Sequence, residues 1–134
     1  MRYMLDTNIC ICLIRKKPAA VIKRLRALSI PDVGISSITL AELEYGIAKS
    51  CLPEQNRDAL SSFLAPLEIA EFGNDAATCY GILRARLKKQ GKPIGAMDIL
   101  IAAHALSLPA TLVTNNTREF NRVPGLALED WLES

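Results

Sequence analysis

Short apolar runs alternate with longer segments of helical spacing along the whole of this 134-residue chain. The candidate strands fall at 2–5, 33–35, 67–72, 111–113 and 126–128, of which 67–72 includes two glutamates, and the helical segments fall at 9–15, 18–28, 39–49, 54–64, 74–89 and 96–106. Strands that are apolar at successive positions are buried on both faces, which is typical of a parallel sheet covered by helices on two sides. The sequence therefore predicts an α/β fold, a three-layer α/β/α sandwich with a short, mostly parallel central sheet.

A single domain over residues 1–134 is expected, because the chain is too short for two ordinary domains. Half of the residues are apolar and only 5% are aromatic, which excludes default disorder and predicts an aliphatic core. The longest apolar stretch, 99–106, is far shorter than the roughly 20 residues of a membrane helix, and Asp6 lies where a secretory signal would be apolar. Together with four cysteines that form no CxxC pair, these features predict a cytoplasmic protein with reduced, structural thiols and no membrane partner.

Polar side chains follow the predicted strands at the positions where α/β sheets form their sites. Asp6 follows the first strand, Asn116 follows the strand at 111–113, and Asp98 lies in the first turn of an apolar helix. Asp6 and Asp98 have a simpler explanation as a helix cap and a dipole partner. The acid Glu42 lies nearly opposite the apolar stripe of its helix, and periodicity alone makes it a solvated surface residue.

Clustered carboxylates are the ligands that a hard divalent cation needs, so these residues together suggest a metal site. A cation bound there could activate water and offset the charge of a phosphodiester. The single histidine excludes a His-rich zinc site, and His104 lies about 120° from Asp98 around the same helix, which favours a core or interface role. Trp131 is expected to pack the C-terminal end onto the core.

Four blocks carry a family resemblance: MLDTN at 4–8, SSITLAELEYG at 36–46, GAMDILIAAHA at 95–105 and LVTNNTREF at 112–120. In this order and spacing they resemble the PIN-domain ribonucleases and, more narrowly, the VapC toxins of bacterial toxin–antitoxin pairs. The ending RVPGL at 122–126 and EDW at 129–131 is also similar to that group. The resemblance extends from residue 3 to residue 131, nearly the whole chain.

The resemblance implies a site for Mg²⁺ or Mn²⁺ whose three acidic ligands are Asp6, Glu42 and Asp98. It therefore overrides the interpretation of Glu42 as a solvated acid. The family's fourth acidic position matches Asn116, which can ligate through its carbonyl oxygen but brings no charge, and whether Glu119 substitutes for it is open. The surrounding polar positions, expected to support the ligands by hydrogen bonds, are Thr7, Asn8 and Thr114.

The implied activity is metal-dependent cleavage of structured RNA, such as the anticodon stem-loop of the initiator tRNA or a ribosomal RNA loop. The implied partners are a VapB antitoxin, operator DNA bound only through the antitoxin complex, and a second copy of the chain in a homodimer. One alternative is a catalytically weak PIN domain that mainly binds its antitoxin and operator. A third possibility, hydrolysis of a small phosphorylated molecule, lacks the Gly-rich phosphate loop that such enzymes use.

The basic residues are unevenly distributed, although the formal net charge is only +2. Residues 1–30 hold seven Lys and Arg side chains against one acid, and Arg15, Lys16 and Lys17 are the candidate contacts to an RNA backbone. Solvated helix faces are the alternative for this group. A second basic group at 84–92 is the lesser candidate for RNA contact, because Lys88 and Lys89 end a predicted helix, where complementing its dipole is a sufficient explanation.

Overall fold

A computed structural model describes residues 1–132, and five strands within them form one sheet. The strands are β1 Tyr3–Leu5, β2 Val33–Ser36, β3 Glu68–Ala70, β4 Thr111–Val113 and β5 Leu128–Glu129. The helices are α1 Thr7–Arg15, α2 Ala19–Arg26, α3 Ser37–Ala48, α4 Pro53–Leu64, α5 Asn74–Lys89, α6 Ala96–Ser107 and α7 Thr117–Phe120, with a 3₁₀ turn at Ile30–Asp32. No helix among the described residues is long and apolar enough to cross a membrane.

The strands pair in the order β3-β2-β1-β4-β5, and every pairing is parallel. β1 lies at the centre, where Tyr3 is opposite both Val33 of β2 and Thr111 of β4. Because all strands run in one direction, their carboxyl ends meet at one edge of the sheet. The predicted three-layer α/β/α sandwich is confirmed, and the sheet is parallel throughout.

Alternate residues of the central strands enter two separate apolar clusters. Met4 and Leu112 pack into the layer formed by α5 and α6, whereas Leu5 and Val113 pack among α1, α3 and α4. All four side chains are completely buried. The successive apolar positions that predicted two-sided burial therefore supply both cores, one residue to each in turn.

Most predicted elements are observed with end shifts of a few residues. α3 begins at Ser37 rather than at 39, because the Ser36 hydroxyl caps it by accepting a hydrogen bond from the Ile38 N–H at 3.0 Å. The last strand lies at Leu128–Glu129 instead of 126–128, and the one-turn helix α7 was not predicted. Four residues cannot display helical periodicity, so α7 gives no signal in the sequence.

The C-terminal part of the described chain is anchored by Trp131, as predicted. The indole is completely buried and lies 6.3 Å from the ring of Tyr3. Its N–H donates to Glu129, which also accepts a 2.7 Å hydrogen bond from Arg24 on α2. These contacts hold β5 and the following residues against the layer of α1 to α4. The four cysteines are unpaired, but only Cys10 is buried, and Cys51 is exposed.

Gly34 in the middle of β2 leaves no room for a side chain. A Cβ built there would lie 2.6 Å from the carbonyl oxygen of Glu68 and would also collide with the side chain of Met1. The Glu68 oxygen belongs to the neighbouring strand and cannot move without breaking the sheet pairing. We expect Gly34→Ala to lower the free energy of unfolding by about 3 kcal/mol. Urea unfolding beside Gly46→Ala, a helical glycine with open space around it, measures this effect; equal loss in both variants would contradict it.

Candidate metal centre

Asp6 forms the buried part of the candidate site. It follows β1 directly, is only 6% exposed, and caps α1 by accepting a 3.0 Å hydrogen bond from the Ile9 N–H. The hydroxyl of Thr114, a completely buried residue that follows β4, donates to the Asp6 carboxylate. The same hydroxyl oxygen accepts from the Asn116 N–H at 2.9 Å. Two parallel strands therefore end in one hydrogen-bonded unit, and Thr114 holds Asp6 in place.

Glu42 lies beside Asp6 rather than in open solvent. It extends from the second turn of α3, is partly buried, and accepts a 2.5 Å hydrogen bond from the Thr7 hydroxyl. Its charge acts on both Asp6 and Asp98. The prediction from periodicity alone, a solvated acid, is therefore wrong, because Thr7 at the start of α1 lies against Glu42 and binds its carboxylate. Thr7 holds Glu42, as the resemblance implies.

Asp98 lies in the first turn of α6 and faces Glu119 of α7. The two carboxyl groups share a hydrogen bond. Glu119 also accepts from the Gly95 N–H at 2.5 Å and from the side-chain amide of Asn116 at 2.6 Å. The structure therefore places Glu119, and not Asn116, against Asp98. Asn116 contacts Glu119 and holds it, so the fourth carboxylate of the cluster comes from a residue whose role the sequence left open.

The electrostatics of the cluster reflect four acids crowded at one edge of the sheet. Burial and then the neighbouring charge of Glu119 raise the pKa of Asp98 to about 7, with smaller contributions from Glu42 and Asp6. Burial also raises the pKa of Asp6, against the opposing hydrogen bonds that it accepts. Burial alone would raise the pKa of Glu119, but its hydrogen bonds from Gly95, Asn116 and Asp98 lower it. Bringing all four groups together in the ionised state is therefore unfavourable without a cation.

The donor set fits a hard divalent cation. All four groups are carboxylates, which Mg²⁺ and Mn²⁺ prefer. Within residues 1–132, however, no three His, Cys, Asp or Glu side chains converge on a common coordination point. Three of the carboxylates instead accept hydrogen bonds from the protein: Asp6 from the Ile9 N–H, Glu42 from the Thr7 hydroxyl, and Glu119 from the Gly95 N–H. A bound cation would offset the repulsion among these carboxylates.

Two further sets of candidate residues make no contact with the carboxylates in the structure. Asn8 is exposed, and its side chain makes no hydrogen bond within the described part of the chain, so the structure gives it no supporting role. Arg15, Lys16 and Lys17 are exposed at the C-terminal end of α1, whereas Asp6 caps the N-terminal end. The helix rise separates them by about 13 Å. Their contact with RNA stays a prediction, but these residues do not border the carboxylates.

One acid near the site was missed by the sequence analysis altogether. The charge of Asp130, two residues after the start of β5, contributes to the raised pKa of Asp6. Asp130 accepts a 2.9 Å hydrogen bond from the Leu132 N–H, which orients its carboxylate. Its position follows from β5 pairing with β4, so that β5, β4 and β1 all end at the same edge of the sheet, a fact that only the strand order reveals.

His104 is a core residue, as its position on the helix predicted. The ring is 1% exposed, its Nδ1 lies 2.8 Å from the Ser36 hydroxyl, and its other nitrogen bonds the Glu71 carbonyl. These partners suit a neutral imidazole that accepts from Ser36 and donates to Glu71. Burial lowers the pKa of His104. The ring is held away from the carboxylates and cannot serve as their acid or base.

The depressed pKa of His104 gives stability a pH dependence with a definite sign. Since the unfolded chain binds the imidazole proton more readily than the folded one, stability is complete above about pH 6.5 and falls as the pH drops below it. We expect His104→Asn, which keeps an acceptor near Ser36, to have a smaller decrease in melting temperature between pH 7.5 and pH 5. Thermal unfolding of both proteins across this range provides the measurement, and parallel pH curves would contradict the assignment.

Comparison with known proteins agrees on one family over nearly the whole chain. The PIN domain family matches residues 3–126. Ribonuclease VapC2 of Rickettsia felis is 49% identical over 132 residues, and the tRNA(fMet)-specific endonuclease VapC of Shigella flexneri is 47% identical over 131; each match covers 98% of both chains. The crystal structure of VapBC2 from Rickettsia felis bound to a DNA fragment from their promoter matches with a TM-score of 0.92 and 48% identity, covering 98% of this chain and 99% of that one.

Proposed function

Because the chain belongs to the PIN-domain family and, within it, to the VapC ribonucleases, we propose that it is the Mg²⁺- or Mn²⁺-dependent endoribonuclease toxin of a VapBC pair. The observation that carries the proposal is the grouping of four carboxylates from four separate segments, Asp6, Glu42, Asp98 and Glu119, in which the charges of the other three all act on Asp98. Burial and these neighbouring charges raise the pKa values of Asp6 and Asp98, an arrangement that is costly for a protein that does not use it.

The residues of the site have two roles: some would bind the cation, and others orient the side chains that bind it. Asp6, Glu42, Asp98 and Glu119 would bind the cation, while Thr114, Thr7 and Asn116 fix the carboxylates through hydrogen bonds. When bound, such a cation makes a coordinated water more acidic and offsets charge on the attacked phosphate. Since the only histidine is buried in the core, the proton of the attacking water passes to a carboxylate or to solvent.

The substrate proposed is structured RNA, with the anticodon stem-loop of the initiator tRNA as the first choice. Support comes from the relative in Shigella flexneri, which is named a tRNA(fMet)-specific endonuclease and matches 98% of this chain. The four blocks that surround the carboxylates lie inside the matched region.

The partners proposed are a VapB-type antitoxin and, through the complex with it, operator DNA. The matched Rickettsia felis structure is a VapBC2 complex on a fragment of its promoter, which supports both. A homodimer is also proposed, and light scattering of the purified protein tests it: twice the mass of one chain supports the dimer, and the mass of one chain contradicts it.

The alternative of a catalytically weak binding module depends on Asn116 at the fourth acidic position and on the modest net charge of +2. Glu119, which supplies a carboxylate against Asp98, weighs against the first of these two grounds. We therefore retain the endoribonuclease as the single function.

Removal of the divalent cation tests the proposal directly. A labelled anticodon stem-loop of initiator tRNA should be cut by the purified protein in Mg²⁺ or Mn²⁺, with activity lost in excess EDTA and restored by added Mg²⁺. In the same buffers at pH 8, Mg²⁺ at about 100 times its dissociation constant should stabilise the fold by about 2.7 kcal/mol. Full cleavage in EDTA would contradict metal dependence, and no cleavage of any RNA in Mg²⁺ would contradict the function.

A further inference from the structure

A groove of about 360 Å³ lies beside the candidate metal centre. It is formed by the last two turns of α5, the connection at 91–95 and the first turn of α6. Its apolar floor consists of Leu87, Ile94 and Ile99, all buried. No acidic side chain lines it. Its floor offers apolar surface to flat rings.

The rim of this groove carries three cations and one aromatic ring. Arg84 and Lys88 lie one helical turn apart on α5, and Lys92 follows in the connection; all three are exposed and form no ion pair within residues 1–132. Arg84 donates a 2.7 Å hydrogen bond to the Tyr80 hydroxyl, and its guanidinium carbon lies 5.9 Å from the centre of that ring. The cations are thus available to a negatively charged ligand.

The groove and the carboxylate cluster share a wall. Gly95, at the end of the connection, donates its N–H to Glu119, and Asp98 belongs to the same first turn of α6 as the groove-lining Ala96. Arg122 links the two places, since it donates a 2.6 Å hydrogen bond to the Pro93 carbonyl. The groove and the acids are therefore joined through the connection at 91–95 and the first turn of α6.

We propose that this groove binds the single-stranded segment of the RNA that flanks the scissile phosphate. The cations bind the backbone phosphates of this segment, and Tyr80 and the apolar floor contact its bases. The inference rests on the proposed endoribonuclease function, which it extends from the chemical centre to the substrate. Three unpaired cations, an aromatic ring and an apolar floor are the combination that single-stranded nucleic acid requires, and a purely acidic peptide would not need the ring.

The sequence favoured the basic group at 15–17 over the group at 84–92 as the RNA contact, and this assignment reverses that preference. The group at 15–17 lies at the opposite end of α1 from Asp6, whereas the group at 84–92 lies on α5 and in the connection to α6, the helix that carries Asp98 and packs against α5. Lys88 in the last turn complements the helix dipole, but the dipole does not explain Arg84 or Lys92 on the same rim.

A matched pair of double variants tests the groove. Arg84→Ala/Lys88→Ala removes two rim cations, whereas Arg86→Ala/Lys89→Ala removes the same charge from the same helix at positions that do not line the groove. Cleavage of the labelled stem-loop is measured in Mg²⁺, and binding by fluorescence anisotropy in EDTA. In the groove variant, KM and the dissociation constant for RNA should each rise at least tenfold, while kcat stays within threefold of the wild-type value. In the control variant, all three quantities should stay within twofold of the wild-type values.

The salt dependence supplies a second readout. Each lost phosphate contact lowers the slope of log affinity against log salt by about 0.7 for a single strand, so the groove variant should lose about 1.4. Tyr80→Leu, which keeps apolar volume but removes the ring face, should weaken binding about tenfold, and Tyr80→Phe should bind like the wild type. Melting temperatures within 2 °C of the wild type show that the variants fold.

The outcomes separate this inference from the function on which it rests. If the wild type cuts no RNA, the proposed function is wrong. The anisotropy comparison of the two double variants still tests whether the groove binds RNA. If the wild type cuts RNA and both double variants behave alike, the groove is not an RNA site. If the groove variant cuts RNA normally but escapes inhibition by the antitoxin, the occupant is a protein segment, and the inference is overturned.

Discussion

Asp98→Asn is expected to lower RNA cleavage by about 10³-fold or more, with the fold intact. The substitution keeps the size of the side chain but removes the charge that would hold the cation between α6 and the other acids. A loss of about 4 kcal/mol of transition-state stabilisation corresponds to this factor. The measurement is single-turnover cleavage of the labelled stem-loop in saturating Mg²⁺, beside Glu44→Gln as a control. Glu44 lies two residues from Glu42 but pairs with Arg57 on the surface.

The same variant should be no less stable than the wild type when metal is absent. Burial and neighbouring charge raise the pKa of Asp98 to about 7, so its ionisation above pH 7 opposes folding. Asparagine has nothing to ionise, and at pH 8 in EDTA the variant should melt at the same temperature as the wild type or higher. A substitution that removes activity without lowering stability identifies a residue that serves function rather than folding. Wild-type cleavage, or inactivity explained by a melting temperature several degrees lower, would contradict this account.

Glu119→Gln is expected to cost about 10²-fold in cleavage, and Asn116→Ala about tenfold or less. The order follows from the contacts: Glu119 lies against Asp98, while Asn116 reaches the cluster only through its hydrogen bond to Glu119. Losing a ligand removes a negative charge that binds the cation, whereas losing a residue that only orients one ligand is expected at the lower end of the about 10- to 100-fold range for such residues. Titration of activity with Mg²⁺ separates the two, since Glu119→Gln should need more Mg²⁺ for half-maximal rate.

The reverse order would contradict the structural assignment. If Asn116→Ala were the more damaging change and Glu119→Gln nearly silent, the fourth position would be Asn116, as the resemblance suggested. Arg118→Ala, a neighbouring change on the exposed side of α7, is the control and should leave cleavage within twofold.

The fold was predictable because β1, β2 and β4 are apolar at successive positions, a pattern that only two-sided burial explains. The helices between them have enough turns to display their period. The end of the chain was harder to predict: α7 has four residues and β5 has two, too few for either pattern. Strand order was also beyond the sequence, and it is strand order that brings Asp130 near Asp6.

The site was only partly predictable from the residues. Asp6 and Asp98 stand out as acids at the ends of apolar segments, but Glu42 lies on a helix side that periodicity assigns to solvent. It is covered by the start of α1, a tertiary contact that no local pattern encodes. Glu119 was left open for the same reason, since its partner Asp98 is 21 residues away and on another helix. The basic groups at 15–17 and 84–92 could not be ranked as RNA-binding candidates without knowing the directions of α1 and α5.

The central claim is that the carboxylate cluster cuts RNA at a defined phosphodiester, and mapping of 5′ ends in total RNA after brief induction tests it most directly. Wild-type protein, Asp6→Ala and the Glu44→Gln control are induced in parallel to equal levels. The account predicts one dominant new 5′ end, in the anticodon loop of the initiator tRNA, that appears with the wild type and the control and vanishes with Asp6→Ala. New ends of equal abundance with Asp6→Ala, or none with the wild type, would contradict it.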